Sequence, residues 1–357
     1  LDQHTRTNAK EIGIMMKILE TKLDFDNVLL VPQSSNINSR SEVQLKRTFE
    51  FKTGSWTGIP IIASNMTTVS SFEMAHVLSK YGLMTALHKY YGEEELKEFY
   101  NLGLAMEDCW YSLGTNPADL EKFNIVNSHK RCIEKICIDV ANGYRDSFVD
   151  YVAKIRYELP TAIIMAGNVV TPEMVRPLVE AGADIIKIGI GGGGGCLTRV
   201  KTGVGYPQFS AIVECADEAY DLGAYVCSDG GCKTPGDIAK AFAAGADFVM
   251  LGSMLAGHSE CSAKNVVVDN KVYVEFYGMS SEKAMHEHIG GMENYRTSEG
   301  RHVLLPSKGP VENTILDILG GLRSTLTYVG AKTLEELPNK AVFVKVNETH
   351  NKIYENL

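Results

Sequence analysis

No apolar run in the sequence approaches the roughly 20 residues that cross a bilayer as a helix. The first residues, LDQHTRTNAKEIG, are polar where a secretory leader needs an apolar stretch. Neither a membrane partner nor an export route is therefore expected. Positive charge is also scarce: 35 Lys and Arg stand against 44 Asp and Glu, a net charge of −9. That balance argues against a grip on nucleic acid or anionic lipid. It does not exclude a small phosphorylated ligand, which needs only a local nest of amides. None of the eight cysteines forms a CxxC pair, so a zinc or redox framework has no support. Most lie in apolar runs and read as inert buried thiols of a reducing cytoplasm.

What the chain does have is material for a core. Apolar residues make up 45% of its 357 positions, enough for one large α/β domain or two ordinary ones, and too many for disorder. One grammar repeats: a short apolar run, a polar or glycine turn, then a helical pattern. The first four runs are IPIIAS (59–64), LMTALH (83–88), DCWYSLG (108–114) and KICIDVA (135–141). The next four are AIIMAG (162–167), DIIKIGI (184–190), AYVCSDG (224–230) and DFVMLGS (247–253). TPEMVRPLVEAGA (171–183) and TPGDIAKAFAAGA (234–246) read as helices with a Thr cap and Pro at the first position.

Continuous apolar strands alternating with helices mean a parallel sheet covered on both faces, and eight of them predict a closed (β/α)8 TIM barrel. An open doubly wound sheet is the alternative. The third run is the least clear, because polar residues surround it. The chain is expected to form a single catalytic domain over 1–357, with 1–14 a disordered or appended segment and Met15-Met16 the native start. After the eighth strand, NVVVDNKVYVEFYG (265–278) alternates around Asp269-Asn270 and predicts a β-hairpin. It opens an excursion over the barrel mouth at 260–312, irregular up to about residue 310. NTILDILGGLRSTLTYVG (313–330) predicts a helix.

Five consecutive glycines, Gly191 to Gly195, precede Cys196 in KIGIGGGGGCLTRVKTGVGYP. A dinucleotide fingerprint would run straight into a helix, whereas here no helix is expected before about Pro207. A Walker loop fails because no Gly-Lys-Ser/Thr follows. A linker fails because strand-like sequence leads in and the barrel grammar resumes after it. The loop therefore belongs at the C-terminal end of the sixth strand, on the face where barrel active sites lie. Thr198, Arg199 and Lys201 beside Cys196 favour a nucleophilic thiolate. SDGG (228–231) and LGS (251–253) end the last two strands, where barrels form phosphate sites from amides. Asp139 in DVANGY could orient a ring or ribose, and Lys89 places a cation at the rim. His286 and His288 do not share a helix face and read as surface residues.

The blocks CIDVANGY, MAGNVVTPEM, CLTRVKTGVGYPQ, SDGGCKTPGD, FYGMSSEKAM and RTSEGRHVLLPSKGPVENT resemble the IMP dehydrogenase/GMP reductase family. The likeness covers nearly the whole chain, from KLDFDNVLLVPQSSNINSRSEV at 22–43 to LRSTLTYVGAKTLEELP. The dehydrogenase branch usually carries a CBS insert after the second strand, and the stretch between His88 and the fourth run is too short for one. GMENYRTSEGRH also follows the reductase style of flap.

The resemblance implies reductive deamination: GMP and NADPH give IMP, ammonia and NADP+. Cys196 would attack C2 of guanine, and a covalent thioimidate would then accept hydride. Thr198 and Glu299 match the proton-relay pair. Asp229, Gly230, Gly231, Gly252 and Ser253 match contacts to the nucleotide's ribose and phosphate. Gly278, Met279 and Ser280, with Arg296, Thr297, Ser298 and Gly300, match contacts to the purine. For NADPH the matches are Ser39, Arg40, Lys89, Asp139, Val140 and Ala141. Ile190, Gly191, Met279, Tyr295 and Arg296 continue that set, as do Ser324, Thr325, Leu326 and Thr327. Part of that last group would come from a neighbouring subunit of a homotetramer. Gly191, Gly193, Cys196 and Arg199 match ligands of a monovalent cation, commonly K+.

The chain departs from the family at several points. Its loop replaces the pattern G-P-G-S-x-C-T-T-R at Gly192, Gly194, Gly195 and Leu197. Thr67 stands for the Asp of NMDTV, and Tyr90 for the second His of HKH. An IMP dehydrogenase without a regulatory domain, and a catalytically weakened nucleotide-binding barrel, are the competing readings.

Overall fold

Each of the eight apolar runs forms a short parallel strand. In chain order these are β1 (Ile61–Ala63), β2 (Met84–Leu87), β3 (Cys109–Leu113), β4 (Lys135–Asp139), β5 (Ile163–Val169), β6 (Ile185–Ile188), β7 (Tyr225–Asp229) and β8 (Phe248–Leu251). Val249 of β8 lies opposite Ile61 of β1, so the sheet closes on itself. That closure gives the (β/α)8 barrel and rules out the open sheet. The uncertain third run is β3, all five of its residues buried. The computed structural model describes residues 18–103, 106–130, 133–291, 294, 297–347 and 349. Cys132, Tyr295, Arg296, residues 1–14 and Met15-Met16 lie outside them. Among the described residues no helix is long and apolar enough to cross a membrane.

Local sequence explains where the helices begin. At α8 (Pro235–Ala243) the Thr234 hydroxyl accepts from the Asp237 amide, and the Asp237 carboxylate accepts from the Thr234 amide. The stretch 171–183, expected as one helix, is divided into a 3-10 turn (Pro172–Met174) and α5 (Val175–Glu180). Pro177 has no N–H to give, so it fits only in the first turn of a new α-helix.

Inside the barrel, residues two apart point the same way. Ile62, Met84, Trp110, Met165, Cys227 and Phe248 belong to one fully buried cluster. The hairpin Arg47–Phe51/Gly54–Gly58, which the sequence pattern did not announce, contributes Phe49 and Trp56 to that cluster. It plugs the barrel at the N-terminal ends of the strands. Trp110 donates its indole N–H to the Met84 sulfur at 3.1 Å, satisfying the one polar atom of the largest interior side chain.

Beyond β8 the strands Asn265–Val268 and Lys271–Tyr277 form the expected hairpin. Asp269 and Asn270 both have positive φ, 49° and 60°, as a two-residue hairpin turn requires. The segment that follows is more regular than expected. It contains α9 (Glu282–Ile289), and a third strand, His302–Pro306, pairs with Lys271–Tyr277. That strand is mostly exposed and lacks the buried-exposed alternation that betrays a strand in sequence. α10 (Glu312–Val329) ends at Gly330, φ +75°, close to its expected limit.

Candidate active site

Above the apolar layers the inward positions of the strands turn polar. Ser112 stands two residues above Trp110 on β3, Asp139 above Cys137 on β4, Lys187 above Ile185 on β6 and Asp229 above Cys227 on β7. These side chains floor a cavity of about 390 Å³ at the C-terminal ends of the strands. That is an ordinary size for a small-molecule site. The cavity wall includes Gly189 to Cys196 after β6, Asp229 to Cys232 after β7, Gly252 and Ser253 after β8, and the flap residues Phe276, Gly278, Met279 and Ser280.

Cys196 is held by a small piece of sheet built from distant sequence. The Leu197 amide donates to the Glu299 carbonyl at 2.6 Å, and the Arg301 amide donates to the Gly195 carbonyl at 2.8 Å. This pairing brings the Glu299 side chain onto Thr198. The thiol of Cys196 donates to the Thr198 hydroxyl at 3.2 Å, and that hydroxyl donates to Glu299 Oε2 at 2.6 Å. A thiol, a hydroxyl and a carboxylate thus stand in one directed hydrogen-bond chain. Such a chain can take a proton from the thiol and return one to a leaving group. The approach depends on Gly278: a Cβ there would stand 2.6 Å from the Gly195 carbonyl and 2.9 Å from Gly300 Cα.

The expected absence of a helix before Pro207 is corrected. Thr198–Thr202 forms α6, a single short turn that begins directly after the Cys196 loop, and α7 (Gln208–Asp221) follows. The Arg199 guanidinium does not flank the thiol either. It donates to Asp24 at 2.9 Å and to the Tyr206 carbonyl at 2.6 Å, tying the loop to the N-terminal segment. Among the described residues the other thiols are sequestered: Cys109, Cys137, Cys215, Cys227 and Cys232 are buried, and burial pushes the Cys137 thiol up to about 12. Cys261 donates to the Leu255 carbonyl.

The glycine run has a packing cause at Gly194. A Cβ at that position would lie 2.9 Å from the Ser253 hydroxyl and 3.0 Å from its Cβ. The loops after β6 and β8 therefore leave room for one side chain between them, and Ser253 takes it. Gly195 is hemmed by the Phe276 ring at 3.1 Å, whereas Gly192 has ordinary space and nothing in the structure explains it.

Most residues assigned by resemblance meet at this cavity. Asp229, Gly230, Gly231, Gly252 and Ser253 line it, as do Gly278, Met279, Ser280, Glu299 and Gly300. Lys89, Asp139, Val140, Ala141, Ile190 and Gly191 line the same space, with Lys89 paired to Asp119 at 3.2 Å. Thr297 and Ser298 are not part of the wall; the Ser298 hydroxyl donates to the Gly300 carbonyl. Ser39 and Arg40 lie at a 3-10 turn (Arg40–Glu42) packed against α10, which carries Ser324, Thr325, Leu326 and Thr327. This patch is separate from the cavity, and Leu326 is a wholly buried core residue. Among the described residues no three His, Cys, Asp or Glu side chains converge as metal ligands.

The two remaining departures have physical settings. The Thr67 hydroxyl donates to the Tyr277 oxygen at 3.3 Å, and Tyr277 donates to Glu287 at 2.5 Å. A carboxylate at position 67 would compete with Glu287 for the single Tyr277 proton. The Tyr90 ring stacks on His288 of α9 at 4.0 Å and so ties the flap to the barrel rim. His288 is therefore not the surface residue expected, and its Nε2 is buried without a partner; His286 is exposed as expected.

Sequence reasoning missed Lys187, Asn65 and Asn168. Lys187 was visible in principle as the charge that interrupts the apolar residues after Asp184 in DIIKIGI, at an inward-facing position. Burial lowers its affinity for a proton, but Asp139 and Asp229 more than reverse that, so its pKa is raised and it is a cation.

Comparison with known proteins places this geometry. Residues 22–355 match the family model described as "IMP dehydrogenase / GMP reductase domain". The GMP reductases of Escherichia coli O81 (strain ED1a) and Escherichia coli (strain K12 / DH10B) are each 53% identical over 342 residues. The alignments cover 95% of this chain and 99% of each relative. With the closed barrel and the Cys196 loop at its mouth, these matches establish that the chain belongs to the IMP dehydrogenase/GMP reductase family.

Proposed function

We propose that the chain reduces GMP to IMP with release of ammonia, in the interconversion and salvage of purine nucleotides. The observation that carries this reading is the Cys196–Thr198–Glu299 chain, 3.2 and 2.6 Å between its links. Glu299 receives the thiol proton through Thr198, and the Cys196 sulfur adds to C2 of the guanine. The same relay returns the proton to the 2-amino group, which leaves as ammonia only once protonated. The product of this step is a thioimidate between Cys196 and the purine, so one difficult displacement becomes two easier ones.

NADPH, when bound, supplies the hydride that reduces C2 and expels the thiolate. Lys89, Asp139, Val140, Ala141, Ile190, Gly191 and Met279 would hold its reactive end, since all line the cavity that Cys196 faces. Ser39, Arg40 and the Ser324–Thr327 stretch do not line that cavity. Their separation supports a homotetramer in which this patch completes a neighbouring subunit's cofactor site. Asp229 and the amides of Gly230, Gly252 and Ser253 would bind ribose and phosphate, with Gly231 beside them giving its amide to the Gly192 carbonyl at 3.0 Å. Gly278, Met279, Ser280 and Gly300 would face the base. Carbonyl oxygens of Gly191, Gly193, Cys196 and Arg199 suit a weakly held K+, because hard carbonyl oxygens replace its hydration shell.

The assay that tests the reading compares two mixtures. GMP with NADPH should lose absorbance at the reduced-nicotinamide band and release ammonia, whereas IMP with NAD+ should not react. Turnover of the second mixture alone would make the chain a dehydrogenase. Binding of GMP with turnover of neither would make it a weakened nucleotide-binding barrel.

A further inference from the structure

The floor of the cavity contains a charge network that the reaction steps above do not use. Lys187 has a side chain only 2% exposed, and its ammonium touches both Asp229 Oδ2 and Asp139 Oδ1, the latter at 3.3 Å. Asn168 donates to the same Asp229 Oδ2 at 2.8 Å and to the Gly189 carbonyl at 2.7 Å. Asn65 donates to Asp139 Oδ2 at 2.8 Å. Five different strand ends thus converge on two carboxylates, with one buried cation between them. Lys187 and Asn168 both hold Oδ2 of Asp229, so neither occupies its Oδ1, and Asp229 lines the cavity.

We propose that Lys187 is a positioning residue that serves both ligands at once. Its single ammonium sets the carboxylate on the nucleotide side, Asp229, and the carboxylate on the reductant side, Asp139. This rests on the assignment of Asp229 to GMP and Asp139 to NADPH. A buried cation shared by two acids differs from an ordinary ion pair in its consequence. Removing it leaves two carboxylates facing one another in a poorly hydrated floor, so each is displaced or one takes up a proton. A defect at one residue is then felt by two ligands that never touch that residue.

Steady-state kinetics on five variants test this. Asp229→Asn should raise KM for GMP alone, and Asp139→Asn should raise KM for NADPH alone. Lys187→Met should raise both by about tenfold or more, the effect of losing a charge-assisted hydrogen bond at each carboxylate, while kcat falls less. Asp139→Asn/Lys187→Met leaves one carboxylate where Lys187→Met leaves two facing one another, and so guards against misfolding of the single variant. Compared with Asp139→Asn, it should show a further rise in KM for GMP. In Lys187→Ala, methylammonium added to the assay should lower both KM values, because the vacated ammonium position borders the cavity. A structural role alone would give no such rescue. If the two aspartate variants behave as stated but removing Lys187 shifts one KM or neither, the shared-positioning role is wrong. If the aspartate variants leave both KM values unchanged, the ligand assignment fails and takes the proposal with it.

Discussion

At its lower mouth the barrel is closed by rings. Phe49 lies 4.2 Å from Phe248 and 6.0 Å from Trp56, centroid to centroid, and Tyr225 meets Phe49 edge-on at 5.2 Å. At the upper mouth the same strands end in Asp139, Lys187, Asp229 and runs of glycine. The two ends share one alternation of inward and outward residues, interrupted only in β5, where the pairing with β6 shifts register between Gly167 and Val169. The difference is residue type at one layer. Below it, side chains fill the barrel and contribute by leaving water. Above it, side chains are small or charged, and backbone amides and the Cys196 thiol are left facing a cavity. The lower end is built to be stable and the upper end to bind.

That contrast is broken most severely by exchanging its two poles. Cys196→Ala should lower turnover by at least about 10^4, as loss of a covalent nucleophile does, with no loss of thermal stability. Phe49→Ala should do the reverse. It should cost about 3–5 kcal/mol of unfolding free energy and leave KM for GMP within about twofold, since no ring of the plug reaches the cavity. Denaturant titration beside steady-state kinetics separates the two. A Cys196→Ala protein that keeps parental turnover would remove the thiol from the mechanism.

The next effect concerns the upper rim alone. Gly194→Ser places a side chain against Ser253 and should raise KM for GMP by about tenfold, the worth of roughly one displaced hydrogen-bonding group. Ser253→Gly in the same protein should bring it most of the way back, because the rim then again carries one hydroxyl in that space. If the double variant is no better than Gly194→Ser, the glycine is needed for some reason other than Ser253.

These two ends were unequally legible. The strands of the barrel were plain in the sequence, because a run such as AIIMAG buried on both faces has few other fates. Cys196 stood out because a thiol after five glycines needs an explanation. The plug was missed because FEFKTGSWTG alternates over too few residues to distinguish a hairpin from a loop. Glu299 could be tied to Thr198 only through resemblance: the contact spans 101 residues and rests on backbone pairing that no local pattern encodes. Lys187 was overlooked because its run was read for hydrophobicity, and the one residue that broke the run was the informative one.

The smallest effect is one of pH. His88, at the rim beyond β2, is lowered to about 3 by burial, with the nearby His288 and Lys122 charges adding to it. The unfolded chain takes up a proton there near pH 6.5, which the folded one refuses. Stability from this group is therefore complete above about pH 6.5 and falls as pH drops towards 3, by at most about 1.4 kcal/mol per unit. His88→Gln should flatten that part of the profile, read from denaturation midpoints at pH 7 and pH 5. An unchanged slope would mean that another group governs the acid limb.

The central claim is that Cys196 bonds covalently to C2 of the purine. Intact-protein mass spectrometry after mixing with IMP and NADP+, in the absence of ammonia, tests it most directly. The expected product is a protein heavier by one purine nucleotide less a hydride and the thiol proton, with the added mass on the peptide carrying Cys196 and absent from Cys196→Ala. An active enzyme that shows no adduct under these conditions, or carries it on another cysteine, would contradict it.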